Sequence, residues 1–247
     1  MIQSSTANLD GIPAIVIRDD RWAIAPLLVW YHGWSGDKGN VANTPLFLAQ
    51  IATQGVVVVC PDCVEHGERQ TAVGFRKTFN GWAFICDAME RTRAEAPSLV
   101  EAAMDLPFVS PRHAAVAGIS MGGVIAQLAF ATEQRFTALA SVIGRSSLYQ
   151  ADTWCREAQQ GTWTDDWCAA NAPQLHPERY LRGPVLFIDG GLDTDCPASH
   201  NAETVANIRR VGGTADQSVD QETGHGFSTA MQERLVAWAI AVSRASG

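Results

Sequence analysis

The sequence is poor in charge, and above all in positive charge. Only 18% of the 247 residues are charged, and 18 Lys and Arg stand against 26 Asp and Glu, for a formal net charge of −8. A nucleic-acid surface needs a basic patch that releases counterions from phosphates, so this balance argues against nucleic acid as a partner. With 47% hydrophobic residues, a large core can form and a disordered chain is excluded.

Long apolar runs and closely spaced cysteines are lacking too. No run reaches the roughly 18 uncharged apolar residues that cross a bilayer, and residues 1–10 lack the basic start and apolar stretch of a signal peptide. Six cysteines in 247 residues are too few for a disulfide scaffold. We therefore expect a cytoplasmic protein with free thiols and no membrane partner, and a homodimer is left open.

Short apolar runs, separated by Gly and Pro, organise the chain. No repeat or linker divides it, which indicates one domain over residues 1–247. Nearly unbroken apolar runs are typical of strands covered by helices on both faces. Such strands are predicted at 27–31, 56–60, 113–117, 138–143 and 185–189, with a weaker one at 215–220.

Helical stretches alternate with these strands. They are predicted at 121–132, 198–211 and 228–243. A further helix is predicted with Thr44 as its N-terminal cap and Gly55 just past its end. The alternation predicts an α/β fold with a doubly wound, mostly parallel sheet, whose functional residues gather at the carboxyl ends of the strands. At the N-terminus, an antiparallel hairpin is expected at 12–18 and 21–25, with Asp19 and Asp20 as its turn.

Residues 145–182 interrupt this rhythm with scattered aromatic and polar residues. Two interpretations stay open: a small lid-like insertion, or surface helices whose tryptophans complete the core. Three tryptophans of this segment, Trp154, Trp163 and Trp167, are candidates for the wall of a substrate pocket, as is Trp82 from an earlier segment.

Ser120 is the candidate nucleophile. Gly118-Ile119-Ser120-Met121-Gly122 fits the G-x-S-x-G pattern and lies between a predicted strand and a predicted helix. Such a turn strains the serine backbone, leaves no room for side chains at the glycines and exposes the hydroxyl at the start of the helix. A serine hydroxyl also needs a base within hydrogen-bond reach and a carboxylate that fixes the tautomer of that base.

The candidate acid and base follow Ser120 on two further loops at strand ends. Asp193 comes shortly after the strand at 185–189, and His225 stands between Gly224 and Gly226, ahead of the last helix. Asp195 is the alternative acid, but we expect it to be a solvated or capping carboxylate. His32 precedes Ser120 in the chain and is expected to bond loop backbone beneath the site.

The negative charge that develops on a substrate carbonyl requires two N–H donors. The backbone N–H of Met121, directly after the nucleophile, is one candidate. The other candidate is the backbone N–H of Trp34, in the loop that follows the strand at 27–31.

Cys60-Pro61-Asp62-Cys63 is a C-x-x-C pattern, for which a thiol-redox role is a remote alternative. A zinc site of Cys60, Cys63 and His66 would leave its fourth position unfilled. We expect instead that Asp62, His66 and Arg69 hold the loop beside the site by mutual hydrogen bonds.

Together these motifs resemble the α/β-hydrolase superfamily. The motifs are residues 28–33, Pro61-Asp62, His66-Gly67-Glu68-Arg69, residues 118–123, Gly190-Gly191-Leu192-Asp193 and Gly224-His225-Gly226-Phe227. Within the superfamily, the chain is similar to the small bacterial serine esterases grouped with dienelactone hydrolase and the catalytic domain of prolyl oligopeptidase. The resemblance spans about residues 26–240.

The resemblance implies an α/β-hydrolase fold, a Ser-His-Asp triad, and hydrolysis of ester or related acyl bonds without a cofactor; we expect no metal either. Two departures narrow the substrate. Dienelactone hydrolase has a cysteine nucleophile where this chain has Ser120, and the propeller of the oligopeptidases has no counterpart here. We therefore expect a carboxylesterase acting on simple esters rather than on lactones or peptides, while thioesterase, amidase or peptidase, and acyltransferase reactions on the same triad stay open. Because the lid candidate is short and aromatic, we expect the partner to be a small-molecule ester with a short to medium acyl chain.

Overall fold

An eight-stranded sheet organises the residues that the computed structural model describes, which are 1–39, 46–71, 82–148 and 163–245. The strands are β1 (Ile2–Leu9), β2 (Ile12–Asp19), β3 (Ala25–Tyr31), β4 (Val57–Pro61), β5 (Val109–Ile119), β6 (Phe136–Val142), β7 (Val185–Gly190) and β8 (Ala215–Asp220). Their order across the sheet is β1-β2-β4-β3-β5-β6-β7-β8. Within the run β4-β3-β5-β6-β7-β8, all neighbouring strands pair in parallel, whereas β2 pairs antiparallel with both β1 and β4.

Helices cover both faces of this sheet. They are α1 (Leu46–Thr53), α2 (Trp82–Ala94), α3 (Ala96–Met104), α4 (Met121–Thr132), α5 (Asp165–Asn171), α6 (Ala198–Arg210) and α7 (Thr229–Ala245). The helices α1 and α7 pack on one face, and α2, α3, α4 and α6 pack on the other. The predicted doubly wound α/β architecture is confirmed. In the described ranges, no helix combines the length and the apolar character needed to span a bilayer.

Two apolar cores, one on each face, explain why the central strands are apolar throughout. Along β3, Leu27 and Val29 belong to the first core, whereas Leu28 and Trp30 belong to the second. Successive side chains of a strand point to opposite faces, so a strand covered on both sides has no solvated position. The helix α4 is buried on nearly all sides and lies directly after β5, at the centre of the sheet.

The turn of the N-terminal hairpin lies earlier in the chain than predicted. β1 pairs with β2 from Ile2 opposite Asp19 to Leu9 opposite Ile12, so Asp10 and Gly11 form the turn. Both have positive φ, 52° and 82°, which suits an Asp-Gly turn between twisted strands. Asp19 instead accepts hydrogen bonds from Arg21, and residues 25–31 join the parallel part of the sheet. The predicted strand at 21–25 is therefore wrong.

The described part of the interrupting segment, residues 163–182, packs onto the first core. Trp163 and Tyr180 are fully buried, and the Tyr180 hydroxyl donates to the carbonyl oxygen of Gln127 in α4 at 3.2 Å. These residues follow the second interpretation, in which the aromatic side chains complete the core. The lid interpretation stays a prediction for residues 149–162, which lie outside the described ranges, as does the predicted Thr44 cap.

Candidate active site

Ser120 lies at the sharp turn from β5 into α4. Its φ of 54° and ψ of −117° are strained for a residue with a side chain. A Cβ on Gly118 would overlap the carbonyl oxygen of Gly122, and a Cβ on Gly122 would overlap that of Tyr31. The two glycines therefore allow the turn to close and place Ser120 at the carboxyl edge of the sheet.

The structure brings the three predicted side chains into one hydrogen-bonded chain. Ser120 Oγ lies 2.9 Å from His225 Nε2, and His225 Nδ1 lies 2.8 Å from Asp193 Oδ2. The Asp193 side chain is fully buried, whereas that of His225 is 32% exposed. Because an ionised carboxylate can only accept, the arrangement assigns the imidazole proton to Nδ1 and leaves Nε2 to accept from the serine hydroxyl.

Two loops carry Asp193 and His225, and backbone contacts hold these loops together. The N–H of Leu192 donates to the carbonyl oxygen of Thr223 at 3.0 Å. A Cβ on Gly190 would overlap the carbonyl oxygen of Gly224, so only glycine lets the histidine loop approach the end of β7. The placement of the imidazole beside the carboxylate thus depends on the backbone of both loops.

Asp195 lies beside the hydrogen-bonded side chains of Ser120, His225 and Asp193. Its N–H and that of Cys196 donate to Asp193 Oδ1 at 2.8 and 2.9 Å, and its own side chain is exposed. Asp193, not Asp195, bonds His225, as the sequence predicted. Asp193, Asp195 and His225 each offer a possible metal ligand within 4.8 Å of the others, a group that overlaps the hydrogen-bonded chain.

The loop after β3 runs past the nucleophile. A Cβ on Gly33 would lie 3.7 Å from Ser120 Cβ, and Trp34 lines the same cavity as Ser120 and Met121. Beneath this loop, His32 Nε2 accepts from the Cys63 N–H at 3.1 Å, so Nδ1 carries the proton and donates to the Gly33 carbonyl oxygen at 2.8 Å. Burial lowers the pKa of His32 to about 4, which keeps this imidazole neutral.

Hydrogen bonds among Asp62, His66 and Arg69 hold the loop after β4 only in part. The buried Asp62 carboxylate binds both the N–H and the Nζ of Lys38, at 2.8 and 2.6 Å. Arg69 pairs with Glu95 at 2.6 Å and reaches the backbone oxygen of Asp62. The ring nitrogens of His66 face two backbone oxygens, those of Val64 and Trp34. The predicted mutual hydrogen bonds are confirmed in part: Arg69 donates to the backbone oxygens of Asp62 and His66, at 3.1 and 2.9 Å, whereas each of the three side chains also has a partner on another segment.

Cys60 and Cys63 contradict the redox interpretation. Cys60 belongs to the core on one face of the sheet and Cys63 to the core on the other. Both thiols are free and buried, and burial raises the pKa of each well above its usual range. Among the described residues, Cys60, Cys63 and His66 do not form a group of metal ligands either.

An apolar cavity of about 550 Å³ opens beside Ser120. One part of its wall belongs to the second core and is aromatic, with Trp30, Phe47 and Phe227 in mutual ring contact. The other part belongs to the first core and is aliphatic, with Ile85, Met89 and Val124. The cavity therefore spans the carboxyl edge of the sheet and reaches both faces.

The tryptophans predicted for the pocket do not form the wall of this cavity where the structure describes them. Trp163 is fully buried in the first core, and Trp167 stacks on it with ring centroids 4.6 Å apart. Those two predictions are wrong, because burial of a pair of indole rings stabilises the packing of α5 more than exposure in a cleft would. Trp154 and the side chain of Trp82 lie outside the described part, so they remain predictions.

Sequence reasoning missed the apolar residues that do line the cavity. Trp30, Phe47, Ile85 and Val124 read as ordinary core positions, because apolar side chains carry no chemical signature. Phe227 alone had a signal, since it follows His225 in the motif Gly224-His225-Gly226-Phe227.

A second buried carboxyl lies at the end of β7. Asp189 is fully buried and accepts from Asn201 Nδ2 at 2.7 Å and Gln217 Nε2 at 2.8 Å. Burial raises its pKa to about 6, although the two amide donors favour the ionised form. The strand that positions Asp193 therefore contains a group that titrates well above an ordinary aspartate.

Comparisons with known proteins concern the family and the fold of the chain. Residues 89–241 match the prolyl oligopeptidase family. TT1662 from Thermus thermophilus superposes with a TM-score of 0.78 at 19% identity, over 96% of both chains. Acetyl xylan esterase 1 from Thermoanaerobacterium sp. JW/SL YS485 gives 0.72 at 18% identity, over 98% of this chain and 87% of that one. For the acylaminoacyl peptidase of Pyrococcus horikoshii the values are 0.72 and 15%, over 94% of this chain and 40% of that one.

The structural matches have low sequence identity, so they establish the fold alone: the predicted α/β-hydrolase fold is confirmed. Among curated proteins, none is significantly similar in sequence. The family match covers more than half of the chain and includes Ser120, Asp193 and His225. The chain therefore belongs to the prolyl oligopeptidase family of serine hydrolases.

Proposed function

We propose that the protein is a serine carboxylesterase that cleaves esters with short to medium acyl chains. The observation that carries the proposal is the chain from Ser120 Oγ through His225 to the buried Asp193, with contacts of 2.9 and 2.8 Å, at the wall of an apolar cavity. A hydroxyl bonded to an imidazole that a carboxylate orients is the arrangement needed for acyl transfer at neutral pH.

The proposed reaction has two half-steps. Ser120 Oγ attacks the acyl carbonyl while His225 Nε2 accepts the serine proton, and the tetrahedral intermediate forms. His225 then gives this proton to the alcohol oxygen, the ester C–O bond breaks, and the acyl group remains on Ser120. Water repeats the sequence with His225 as base, which releases the carboxylic acid. Throughout, Asp193 stabilises the imidazolium and keeps the proton on Nδ1.

The backbone N–H groups of Met121 and Trp34 are the proposed donors to the oxyanion. Met121 is the first residue of α4, and the first N–H groups of a helix have no partner within the helix. Trp34 belongs to the loop in which Gly33 approaches Ser120. Both residues line the cavity. Together the two groups would stabilise the charge of the tetrahedral intermediate.

The cavity supports the substrate class. Its volume of about 550 Å³ and mostly apolar wall suit a small ester. Membership of the prolyl oligopeptidase family favours amide or peptide hydrolysis as a second candidate, since the same groups would serve a different leaving group. Thioesterase and acyltransferase reactions also share this chemistry. A panel of ester, thioester and amide substrates with one common acyl group distinguishes them. The cytoplasmic location remains part of the proposal.

The test of the mechanism is Ser120→Ala. We expect turnover of p-nitrophenyl acetate to fall by several powers of ten, on the order of 10⁴ or more, with the thermal unfolding midpoint little changed. A fluorophosphonate probe should label the parent protein and not this variant. Ser35→Ala is the matched control, because Ser35 also lines the cavity, and it should keep the label. Retained turnover in Ser120→Ala would refute the mechanism.

A further inference from the structure

The carbonyl groups on either side of Trp34 Cα are both held by imidazole rings. His32 Nδ1 donates to the carbonyl oxygen of Gly33, and His66 Nε2 lies 2.8 Å from the carbonyl oxygen of Trp34. In a trans peptide the C=O and the N–H point in opposite directions. The contact with His32 therefore turns the Trp34 N–H away from that ring, and the contact with His66 fixes the next peptide of the loop.

His66 comes from a different strand end and joins two loops. It follows β4, is only 6% exposed, and has Nδ1 2.8 Å from the carbonyl oxygen of Val64 in its own loop. Its ring also packs edge-on against the indole of Trp34, with centroids 4.9 Å apart. The loop after β3 thus contacts the His66 ring in two ways, through the Trp34 carbonyl oxygen and through the Trp34 indole.

The loop that carries His66 is rigidly built. The Asp62 carboxylate accepts the N–H of Glu68 at 3.0 Å and binds Lys38, at the far end of the loop that contains Trp34. Gly67 has a φ of +54°, and a Cβ there would overlap the Asp62 carboxylate. Because its support is fixed in this way, His66 can fix Trp34 in turn.

We propose that His66 is a positioning residue for the oxyanion site: its Nε2–H donates to the Trp34 carbonyl oxygen and, with the ring contact, fixes residue 34, so that the preceding peptide, oriented by His32, keeps the Trp34 N–H in its catalytic direction. This inference rests on the proposed function, because it assigns a task within that mechanism. His66 does not touch the reacting atoms. Loss of its bond should lower kcat, because the oxyanion exists only after attack, and should leave KM for a small ester little changed.

Two conservative variants separate the bond to Trp34 from the contact of Nδ1 with Val64. The side-chain amide nitrogen of Gln reaches about as far as Nε2 of His, whereas that of Asn reaches about as far as Nδ1. His66→Gln should therefore keep the donor to Trp34 and remain within about threefold of the parent in kcat. His66→Asn should lower kcat by about 10- to 100-fold, less than the outright loss of an oxyanion donor, with KM within about threefold.

His176→Gln is the matched control. His176 Nε2 also lies 2.8 Å from a backbone oxygen, that of Ala169, but the residue is not part of the cavity wall. This variant should keep the parent kcat. Should His66→Asn be unfolded, the ¹⁵N spectrum of histidine-labelled parent protein tests the same claim, since a proton on His66 Nε2 is required. An Nε2 without a proton overturns the inference.

The outcomes separate the inference from the mechanism on which it rests. An active parent with equal kcat in His66→Asn and His66→Gln overturns the role of His66 alone. A parent that neither hydrolyses esters nor reacts with a fluorophosphonate overturns the proposed function and this role together. Loss of kcat in His66→Asn, with rescue by His66→Gln, supports the inference.

Discussion

Replacement of Asp193 by Asn tests whether the carboxylate fixes the tautomer of His225. Asp193 Oδ1 accepts two backbone N–H groups, from Asp195 at 2.8 Å and Cys196 at 2.9 Å. In Asp193→Asn the carbonyl oxygen must keep that position, because an amide NH₂ cannot accept from them. The NH₂ group is then forced toward His225 Nδ1, where Oδ2 lies 2.8 Å away in the parent protein.

The consequence is a base with the wrong tautomer. Since the new NH₂ group donates to Nδ1, the imidazole proton moves to Nε2, which can no longer accept from Ser120. In serine proteases the same substitution lowers kcat by about 10⁴, which corresponds to about 5 kcal/mol of transition-state stabilisation. We expect a loss of that order here, with the unfolding midpoint nearly unchanged because the variant keeps the two backbone hydrogen bonds.

Steady-state hydrolysis of p-nitrophenyl acetate at pH 8 measures this loss. The control is Asp195→Asn, which changes the neighbouring exposed carboxylate and leaves the bond between Asp193 and His225 in place. We expect it to change kcat by no more than about threefold, since only the bonded carboxylate fixes the tautomer. A loss of less than tenfold in Asp193→Asn, or an equal loss in both variants, would refute the reasoning.

Three further predictions concern stability, thiols and substrate size. Asp189 has a pKa of about 6 when folded and roughly 3.9 when unfolded, so its contribution to stability is full below pH 4 and falls by about 3 kcal/mol as the pH rises through 6. The difference in unfolding free energy between about pH 4 and pH 7, measured with urea, should lose this component in Asp189→Asn; an unchanged pH dependence would contradict the assignment. Cys60 and Cys63 should react with a thiol reagent only in denaturant, as peptide mapping can determine, and native labelling of either would restore the redox interpretation. Val124→Trp should fill the aliphatic side of the cavity and shift the optimum of a p-nitrophenyl ester series to shorter acyl chains; an unshifted optimum, or a parent optimum at long chains, would contradict the proposed substrate class.

Local patterns in the sequence were enough for the parts of the site that lie at strand ends. The strand 113–117, the Gly-x-Ser-x-Gly turn and the helix 121–132 are contiguous, so their periodicity and glycine spacing predict Ser120 at a sharp turn. The loops of Asp193 and His225 follow from the same rule, because parallel strands bring their carboxyl ends to one edge. The structure agrees with all three placements.

Contacts between distant segments could not be predicted in this way. Asp62, His66 and Arg69 are close in sequence, yet each also has a partner on another element, namely Lys38, the Trp34 backbone and Glu95. The strand order places β4 beside β3, and that order decides which loop each side chain meets.

The sequence by itself determined which residue types stand at strand ends, because hydrophobic periodicity and glycine spacing act over a few neighbouring residues. Only the tertiary structure decided what surrounds them. Trp163 and Trp30 are equally apolar in sequence and each is buried in a core, yet of the two only Trp30 also lines the cavity. Burial depends on which segments pack together, and that is set by the whole sheet rather than by any one stretch of chain.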